Sequence, residues 1–464
     1  MDSAIHPAAP RFDADLIRRY GGRGPRYTSY PTALQFHDDV NEAEYRRNAI
    51  ASNATGSPLS IYVHIPFCRT LCYYCGCNKI VTRNEQRVAR YLTNLESEIE
   101  MQAELFDAGR QVMQMHFGGG TPTYLDTPRL TALIDKLDNA FSFGNADQRE
   151  FSIEIDPRTV DTARIAEIAD LGFNRLSLGI QDFNPDVQRA VNRLQSAQEI
   201  EALLGAARGN GFRSISFDLI YGLPQQTRAS FADTLERVIG MRPDRLAVYN
   251  YAHLPERFKG QRMIDADAIP SADEKLEILD LTIELLTGAG YEYVGMDHFA
   301  LPEDDLVRAQ RDGTLQRNFQ GYSTYGDCDL IGLGVSSIGS VGSLLAQNSP
   351  STAEYQNTIE QGHLPIVRGV ELDDDDRIRA DVIQSLMCFD ELDIERFSGE
   401  HAIDFDAYFA PEMERLSPLT DDGLVSFDGR TIRVTSRGRL LLRSIAMVFD
   451  RHLNRTPMRY SKLI

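Results

Sequence analysis

Two hydrophobic periods alternate along residues 60–290. Short runs rich in β-branched and aromatic residues predict strands, and longer segments with apolar residues three or four positions apart predict amphipathic helices. The run "SIYVHIPF" is of the first kind, and the segment 84–106 that follows it is of the second kind. The predicted strands cover residues 60–67, 112–120, 151–157, 175–181, 214–222 and 245–252. Helical segments between them, with a last one at 271–290, complete six strand–helix pairs.

This alternation predicts an α/β fold with parallel strands joined by right-handed crossovers. Six pairs suit a partial or complete barrel of the TIM type, and an open doubly wound sheet is the alternative. In either architecture, reactive groups belong at the carboxyl ends of the strands. The unusual residues of the chain lie there: cysteines after the first strand, glycines at the second, and acids at the third to fifth.

The pattern changes beyond about residue 345. Residues 371–389 predict a helix, residues 423–435 a hairpin, and residues 436–453 a final amphipathic helix. This order predicts a small, mostly helical domain that resembles a winged helix and packs against the barrel. We therefore expect three parts: an N-terminal arm or lid at 1–55, a catalytic barrel at 56–345 and a C-terminal domain at 346–464.

Charge and hydropathy argue against two classes of partner. Lysine and arginine total 48 and aspartate and glutamate total 68, so the net charge of −20 makes non-specific nucleic-acid binding unfavourable. No run of about eighteen apolar residues predicts a transmembrane helix, and the first residues lack the apolar core of a signal peptide. We expect a cytoplasmic protein without a membrane partner, with a monomer as the default.

One segment departs from this acidic average. Residues 16–36 contain no acid and four arginines, namely Arg18, Arg19, Arg23 and Arg26. A basic segment in an acidic protein can receive an anionic ligand, and an exposed loop with solvated arginines is the other interpretation. If the segment closes over the mouth of the barrel, it can shield the reaction from solvent.

Four of the six cysteines fall within the ten residues "CRTLCYYCGC". Thiolates bind soft metal centres, and a reducing compartment argues against disulfides. Cys68, Cys72 and Cys75 on one short loop suit a [4Fe–4S] cube with one iron left free for a small molecule. The alternatives are a four-cysteine cluster, a zinc site and a thioredoxin-like dithiol of Cys72 and Cys75.

The spacing CxxxCxxC directly after the first strand of a βα barrel resembles the radical S-adenosylmethionine (SAM) enzymes. The resemblance implies a partial (β/α)6 barrel and a [4Fe–4S] cluster held by Cys68, Cys72 and Cys75. It further implies that the free iron binds the amino and carboxylate groups of SAM. The stretch "GGGTP" at 118–122 strengthens the resemblance, since glycines at a strand end allow close approach of the backbone to SAM.

Further segments resemble one family of these enzymes, the oxygen-independent coproporphyrinogen III oxidases. They include "YVHIPFC", "HFGGGTPTYL", "FNRLSLGIQDFN", "FDLIYGLPQQT", "YNYAHLP" and "MDHFA", and the resemblance covers nearly the whole chain. Cys77 completes the CxxxCxxCxC pattern of this family, in which the fourth cysteine is not a cluster ligand. Related heme chaperones lack the Cys-Gly-Cys ending, so Cys77 favours the oxidases, and a heme-binding chaperone is the alternative function. A catalytic or substrate-side thiol is the hypothesis for Cys77.

The resemblance also implies contacts with SAM. Glu154 matches the position that binds the amino group of SAM, and Arg193 matches the position that binds its carboxylate. Gln181 and Asp218 match positions at the ribose. The other implied contacts of SAM are Tyr62, Gly119, Gly120, Thr121, Ile220 and Ala252. A second bound SAM is implied, with Gln320 and Ile338 among its contacts.

The reaction that the resemblance implies is an oxidative decarboxylation. A 5′-deoxyadenosyl radical removes a β-hydrogen from a propionate side chain, and the substrate radical then loses CO2 and one electron to form a vinyl group. Two propionates of coproporphyrinogen III react in this way, which gives protoporphyrinogen IX. The implied partners are this substrate, an electron donor for the cluster and a final electron acceptor. Because the substrate carries four carboxylates, the acidic chain needs a local basic patch.

Overall fold

The chain forms, in a computed structural model, one large mixed sheet packed against helices and a second, smaller core. The structure describes residues 9–453. Within that range, no helix combines the length and the apolar character needed to cross a membrane. The strands are β1 Leu59–Ile65, β2 Phe67–Cys68, β3 Ile80–Val81, β4 Val112–Gly119, β5 Glu150–Ile155, β6 Arg175–Gln181, β7 Ser214–Tyr221, β8 Arg245–Asn250, β9 Glu292–Gly295, β10 His298–Ala300, β11 Gln316–Asn318, β12 Gly321–Ser323, β13 Asp329–Leu333, β14 Ile338–Val341, β15 Leu344–Asn348, β16 Ile366–Glu371, β17 Glu391–Asp393, β18 Val425–Phe427 and β19 Thr431–Val434. The α-helices are α1 Ala14–Tyr20, α2 Glu42–Ser52, α3 Glu85–Ala103, α4 Thr127–Ala140, α5 Thr162–Asp170, α6 Pro185–Ala190, α7 Ala197–Gly209, α8 Arg228–Met241, α9 Ala272–Gly288, α10 Asp305–Arg311, α11 Thr352–Glu360, α12 Asp374–Phe389, α13 Ile394–His401, α14 Phe405–Tyr408, α15 Ala410–Asp421 and α16 Leu442–Ala446.

The central sheet has twelve strands in the order β16-β15-β14-β13-β1-β4-β5-β6-β7-β8-β10-β9. The strands from β13 to β8 pair in parallel, and the strands added at both ends are antiparallel. The two end strands, β16 and β9, are not neighbours in this order, so the barrel is partial. The predicted α/β partial barrel is confirmed. The carboxyl ends of its parallel strands meet at one edge, where barrel enzymes place their sites.

Helix caps and alternating burial explain why these segments fold as they do. Helix α7 begins after Ser196 and α9 after Ser271, and each serine forms a capping box with a glutamate three residues later. In β1, Ile61, Val63 and Ile65 are fully buried, and each such side chain contributes about 1.5–3 kcal/mol of stability. The residues between them point to the opposite face of the sheet. This alternation supplies the interior of the barrel with polar side chains.

A seventh parallel strand, β13, was not predicted from the sequence. It pairs with β1, and the next strand along the chain pairs with it in antiparallel fashion. Because no helix separates β13 from β14, the segment lacks the strand–helix signature. The sheet continues through β16 to Glu371, and the boundary drawn at residue 345 falls inside β15. We therefore propose that the barrel unit ends near residue 371.

The C-terminal region has a hydrophobic core of its own. Leu386, Phe409 and Phe449 are fully buried in it, together with other apolar residues of α12–α16 and of the sheet β17-β19-β18. The predicted hairpin is present, and the carboxylate of Asp428 accepts hydrogen bonds from the backbone N–H groups of Arg430 and Thr431 in its turn. This part of the chain is mostly helical, as predicted.

The single helix predicted over residues 436–453 is wrong in its extent. The α-helical part covers Leu442–Ala446, and short 3-10 turns flank it at Arg439–Leu441 and Met447–Phe449. Within the α-helical part, the buried guanidinium of Arg443 donates to the carbonyl groups of Gly24 and Pro25. A regular amphipathic helix would have placed this charged residue on a solvated face.

The N-terminal segment is packed into both cores. Leu16, Ile17, Tyr27 and Tyr30 are buried in the C-terminal core, whereas α2 packs on strands β14 to β16. Three of its arginines reach acids of other segments: Arg18 reaches Asp273 at 2.9 Å, Arg19 reaches Asp422 at 2.6 Å and Arg26 reaches Asp297 at 2.5 Å. The segment is therefore docked on the fold, while the side chains of Arg18 and Arg19 remain 54% and 62% exposed.

Candidate functional site

The cysteine cluster lies on a closed loop at the carboxyl edge of the sheet. The loop leaves from β2 and returns through β3, and these two short strands pair in parallel. The carbonyl of Pro66 accepts the N–H of Ile80 at 2.6 Å, and the carbonyl of Cys68 accepts the N–H of Thr82 at 3.2 Å. These bonds bring the two ends of the loop together and concentrate four cysteines in a small volume.

Two amide side chains from other segments hold the middle of this loop. Asn192 donates to the carbonyl of Leu71 at 2.8 Å, and Gln261 donates to the carbonyl of Tyr74 at 2.9 Å. Each bond satisfies a backbone acceptor that a loop would otherwise leave to water. The cysteine positions are thereby fixed by the barrel rather than by the loop alone.

A cavity of about 260 Å³ lies beside the loop. Most residues predicted for the site line it: Cys68, Cys72, Cys75, Cys77, Gly119, Gly120, Thr121, Glu154, Gln181, Arg193 and Asp218. They come from the loop and from the carboxyl ends of neighbouring strands, together with the segment after α6. Sequence-distant residues thus meet in one place.

The four cysteines differ in exposure. Cys68 and Cys72 are buried, Cys75 is partly buried and Cys77 is exposed. A hydrogen bond from Cys77 and the charge of Lys79 lower the pKa of Cys75 to about 6, although burial acts in the opposite direction. The described residues contain no group of three or more His, Cys, Asp or Glu placed around a single metal ion. All four cysteines line the cavity beside the loop.

Glycine is required where β4 reaches the cavity. Gly119 has φ +115°, and an added Cβ would lie 2.8 Å from the ring of His64. The backbone N–H of Gly119 donates to Glu154 at 3.1 Å. The missing side chain therefore allows β1 and β4 to approach closely and leaves the strand end open to a ligand.

Glu154 is the acid of the cavity and is held in its charged form. Its carboxylate lies 3.3 Å from His116 Nε2 and is 45% exposed. Burial alone would raise the pKa of Glu154, but the hydrogen bonds from His116 and the Gly119 N–H lower it below its usual value. A carboxylate in this setting suits a cationic amino group of a ligand.

A cluster of cations faces Cys72. Arg158 lies 3.1 Å and Arg193 lies 3.4 Å from Cys72 Sγ. Asp156 accepts hydrogen bonds from both arginines, at 2.7 Å and 3.4 Å. Arg193 also donates to the carbonyl of Gly179 at 2.6 Å, while its Nε is buried and has no hydrogen-bond partner within the described residues. The positive charge stabilises a thiolate and can receive an anionic group.

Asp218 and Gln181 provide polar groups in the same cavity, and Gln181 lies close to Arg193 at Gly179. Ser177 donates to Asp218 at 2.9 Å. Burial raises the pKa of Asp218 to about 7 and outweighs this hydrogen bond. Gln181 ends β6 with φ 67°, where the register with β7 shifts. Both side chains are placed to contact hydroxyl groups of a ligand in the cavity.

The remaining predicted residues lie outside the lining of this cavity. Tyr62 donates or accepts a hydrogen bond with His64 at 3.0 Å, and its ring stacks on His116 with 5.9 Å between centroids. Ile220 packs in a small hydrophobic cluster next to the cysteine loop. Gln320 lines an inner barrel cavity of about 180 Å³, Ile338 begins β14, and Ala252 lines a third cavity.

This third cavity is larger, about 600 Å³, and is rich in cations. Its wall includes Asn250 at the end of β8 and the four residues that follow it, part of the N-terminal segment and the beginning of α9. Tyr249, the neighbour of Asn250, lines the cysteine cavity. The end of β8 therefore lies between the two cavities.

Comparison with known proteins identifies the family. The model of the radical SAM superfamily matches residues 62–238, and the model of the HemN C-terminal domain matches residues 372–441. The chain is 51% identical over 458 residues to the oxygen-independent coproporphyrinogen III oxidase of Pseudomonas aeruginosa, which covers 98% of this chain and 99% of the relative. It is 51% identical over 442 residues to the oxidase of Escherichia coli, which covers 95% and 96%. The chain belongs to the family of oxygen-independent coproporphyrinogen III oxidases.

A solved structure of this family extends the agreement to the fold. The structure described as "Coproporphyrinogen III oxidase (HemN) from Escherichia coli is a Radical SAM enzyme" is 49% identical, has a TM-score of 0.91, and covers 96% of this chain and 100% of that chain. As a radical SAM enzyme, this family member uses a [4Fe–4S] cluster and SAM.

The residues present fit both groups. Three thiols of one loop line the same cavity, and cationic side chains next to Cys72 offset the negative charge of a thiolate cluster. The unpaired Nε of Arg193 and the carboxylate of Glu154 offer one donor and one acceptor for a zwitterionic amino acid. Gly119 leaves open the space that a Cβ would fill.

Several functional residues were missed by the sequence reasoning. His116 orients Glu154, Arg158 contacts Cys72, and Ser177 orients Asp218. His116 lies two residues before the glycines on β4, so strand alternation could have placed it inside the barrel. No pattern in the sequence identifies Arg158 as the cation that reaches Cys72, because the contact depends on the packing of two separate loops.

Proposed function

We propose that the protein catalyses the oxygen-independent oxidative decarboxylation of coproporphyrinogen III to protoporphyrinogen IX. One observation carries the proposal: a cavity lined by four cysteines and by SAM-type polar groups adjoins a large cationic cavity across the end of β8. The relatives in Pseudomonas aeruginosa and Escherichia coli have this activity by name.

Cys68, Cys72 and Cys75 would hold the cluster, and Arg158 and Arg193 would offset its charge. Glu154 would accept hydrogen bonds from the amino group of SAM. When bound, the reduced cluster and SAM supply the radical chemistry that starts the reaction. The protein residues bind, orient and shield the reactants, since the cofactors carry the difficult chemistry.

We propose the remaining SAM contacts on the same basis. Arg193 would bind the SAM carboxylate through its unpaired nitrogen, and Gln181 and Asp218 would bind the ribose hydroxyls. Thr121, 3.6 Å from Cys68 Sγ, and the backbone at Gly119–Gly120 would contact the methionine part. Tyr62, Ile220 and Ala252 would complete the site, and Gln320 and Ile338 would contact a second SAM.

The substrate would occupy the cavity of about 600 Å³, which is within the range of about 300–1,000 Å³ for small-molecule sites. The N-terminal segment forms one wall with Arg18, Arg23 and Arg26. These charges would attract the substrate carboxylates, and the docked segment would exclude water from the reaction. Cys77, exposed toward the SAM cavity, is the proposed catalytic thiol.

Some features of the proposal concern the protein in the cell. An electron donor for the cluster and a final electron acceptor would be needed. We propose a cytoplasmic location, because exposed thiols and an iron–sulfur cluster require a reducing compartment, and a monomer as the active form. Cell fractionation and light scattering on the cluster-loaded protein test these two points.

An anaerobic assay tests the function. The protein is reconstituted with iron and sulfide and supplied with a reductant, SAM, coproporphyrinogen III and cell extract as the source of an electron acceptor. We expect protoporphyrinogen IX and 5′-deoxyadenosine to form together, and neither without SAM. Cleavage of SAM with an unchanged tetrapyrrole would overturn the substrate assignment. Stoichiometric heme binding without turnover would favour a heme chaperone.

A further inference from the structure

The surface around the cysteine loop is basic, although the chain has a net charge of −20. Three segments form or border the loop, at residues 66–84, 187–198 and 257–264, and none of them contains an aspartate or a glutamate. Their cations are Arg69, Lys79, Arg83, Arg189, Arg193, Arg257, Lys259 and Arg262. Segments without acids, in a chain that has 68 of them, concentrate positive potential at one place.

Most of these cations are not neutralised by an acid of the chain. Five of them are exposed and form no ion pair among residues 9–453, namely Arg69, Arg83, Arg257, Lys259 and Arg262. The guanidinium of Arg69 lies 5.2 Å from the centre of the Tyr124 ring, and Arg262 donates to the carbonyl of Pro255 at 3.0 Å. These neutral contacts orient the side chains and leave their charge available to a partner.

Exposed apolar residues accompany the cations. Val81, Leu194 and Met263 are 47%, 59% and 63% exposed, and they are three of the six large hydrophobic residues exposed in the described part of the chain. Val81 pairs with Cys68 between β2 and β3, Leu194 follows the arginine that contacts Cys72, and Met263 lies two residues after the glutamine that holds the loop. Apolar side chains grouped among charges are typical of protein–protein contact sites.

The two basic flanks of the loop adjoin each other at Leu71. An added Cβ at Gly260 would lie 3.5 Å from Leu71 Cδ1. Leu71 is two residues after Arg69, and two residues span at most about 7 Å. The cations on both sides of Gly260 therefore lie on the same part of the molecule as Arg69. We call this area the loop surface and define it by Arg69, Val81, Arg83, Lys259, Arg262 and Met263.

We propose that the loop surface is the docking site of the electron donor, and that this donor is an acidic protein with a one-electron redox group. The proposal rests on the proposed function, which requires a one-electron donor for the cluster. One electron would pass from the carrier to the cluster, so that the carrier is oxidised and the cluster is reduced. Neighbouring strands lie about 4.8 Å apart, so a carrier that touches Val81 is one strand away from Cys68, a proposed cluster ligand.

The charge of this surface suits a transient partner. Electron-transfer complexes bury less than about 1,200 Å² in total, and complementary charge accelerates their encounter. A few basic and apolar side chains around a loop fit that size class. Because the enzyme is acidic as a whole, an acidic carrier is repelled by most of its surface and is attracted at the loop. The distribution of charge thus orients the carrier toward the cysteines.

Binding and electron transfer are measured separately on the cluster-loaded protein. The probe is a flavodoxin, an acidic protein with a single FMN, and calorimetry gives its affinity in the absence of a tetrapyrrole. Electron paramagnetic resonance follows the reduction of the cluster by photoreduced flavodoxin. Photoreduced 5-deazaflavin, a small neutral reductant that needs no docking site, provides the comparison.

Charge reversals on each flank test the surface. The variants are Arg83→Glu and Lys259→Glu. Arg237→Glu is the matched control, because Arg237 is exposed on α8, has no acidic partner among the described residues and undergoes the same change of charge. All three proteins should bind SAM normally, since none of the replaced residues lines the cysteine cavity.

We expect Arg83→Glu and Lys259→Glu each to weaken flavodoxin binding by about 3- to 10-fold at low ionic strength, and the difference should shrink at high salt. Reduction of the cluster by flavodoxin should slow by a similar factor. Reduction by 5-deazaflavin should be unchanged in both variants, and Arg237→Glu should behave like the wild type. A purely structural role of the two residues would slow reduction by both reductants.

Four results would overturn the docking surface: no measurable flavodoxin binding to the wild type, equal affinity in the loop variants and in Arg237→Glu, equal slowing with both reductants, or loss of coproporphyrin III affinity with unchanged flavodoxin affinity. The last result would assign the cations to the tetrapyrrole. These outcomes differ from a failure of the proposed function. If flavodoxin reduces the cluster through this surface but coproporphyrinogen III is never decarboxylated, the docking surface stands and the proposed activity falls.

Discussion

Each end of the barrel carries an arginine, partly buried at the amino end and buried at the carboxyl end, and the two arginines have different partners. At the amino end, Arg245 Nε donates to both carboxylate oxygens of Asp304, at 2.8 and 2.9 Å. At the carboxyl end, Arg193 contacts a backbone carbonyl, Asp156 at 3.4 Å and Cys72 Sγ at 3.4 Å, and its Nε has no partner among the described residues.

This difference separates charges that hold the fold from charges that await a ligand. A buried pair such as Arg245 and Asp304 is fixed by its own geometry, and removing one member leaves the other charge buried without compensation. Arg193 instead contacts Cys72 and Asp156 beside the cysteine cavity. Each arginine keeps one buried nitrogen without a partner among the described residues, Nε in Arg193 and Nη2 in Arg245, so that feature does not distinguish them. Burial and charge alone would rank the two arginines together, whereas the identity of their partners distinguishes them.

The largest loss of activity is expected from a substitution in the cysteine loop. Cys68→Ser removes a proposed cluster ligand, so we expect loss of the iron–sulfur absorption and no detectable protoporphyrinogen IX. Thermal unfolding should change little, since the loop lies at an edge of the fold. Cys328→Ser is the matched control, because Cys328 lines a different cavity, and it should keep both cluster and activity. A fully active Cys68→Ser protein would contradict the ligand assignment.

Replacing each of the two arginines by leucine tests directly whether they have different roles. Arg245→Leu leaves Asp304 buried without its partner and should cost about 3–5 kcal/mol of the free energy of unfolding. Arg193→Leu should cost less stability and should weaken SAM binding by about 10- to 100-fold, through loss of charge-assisted hydrogen bonds. Urea unfolding and SAM titration are measured on both. Equal effects of the two changes on SAM binding would refute the distinction.

The raised pKa of Asp218 predicts a pH dependence at the carboxyl end. Between about pH 4 and 7 the unfolded chain has lost this proton while the folded protein keeps it, so the free energy of unfolding falls as pH rises. The full effect is at most about 4 kcal/mol from a pKa of about 7. Asp218→Asn should remove this part of the slope, as measured by urea unfolding of SAM-free protein. An unaltered slope would show that Asp218 titrates normally.

The smallest expected effect is the change in SAM affinity when Glu154 is replaced. Glu154→Gln keeps the shape of the side chain and removes its charge, so we expect SAM affinity to fall by about 10-fold, as for one hydrogen bond to a charged group. Titration with SAM at constant salt provides the measurement. Because His116 and Gly119 can still bond to the amide oxygen, stability should be nearly unchanged. Tighter SAM binding in the variant would exclude the proposed contact with the amino group.

The sequence predicts the repeated strand–helix units of the barrel. Six strand–helix pairs carry an unambiguous period, and the cysteine spacing after β1 indicates the chemistry of the site. β13 could not be predicted, because it is short and is followed by a strand. The last helix was predicted too long, because the apolar spacing along this segment does not distinguish an α-helix from the short 3-10 turns at Arg439–Leu441 and Met447–Phe449.

The site was predictable where a residue type at a given position indicates a specific chemical role. Thiols on a loop, glycines at a strand end and an acid on an inward strand position all met in the cavity. The contact of Arg158 with Cys72 and the position of Lys275 over Gly222 depend on how separate loops and helices pack. Such contacts have no local signal in the chain.

The most direct test follows one hydrogen atom. The protein is given coproporphyrinogen III with deuterium at the β-carbons of its propionates, together with SAM and reductant under anaerobic conditions, and the 5′-deoxyadenosine is analysed by mass spectrometry. If the two adjoining cavities hold SAM and the tetrapyrrole as we propose, the 5′-deoxyadenosine gains one deuterium as vinyl groups form. Unlabelled 5′-deoxyadenosine alongside vinyl product would contradict the account.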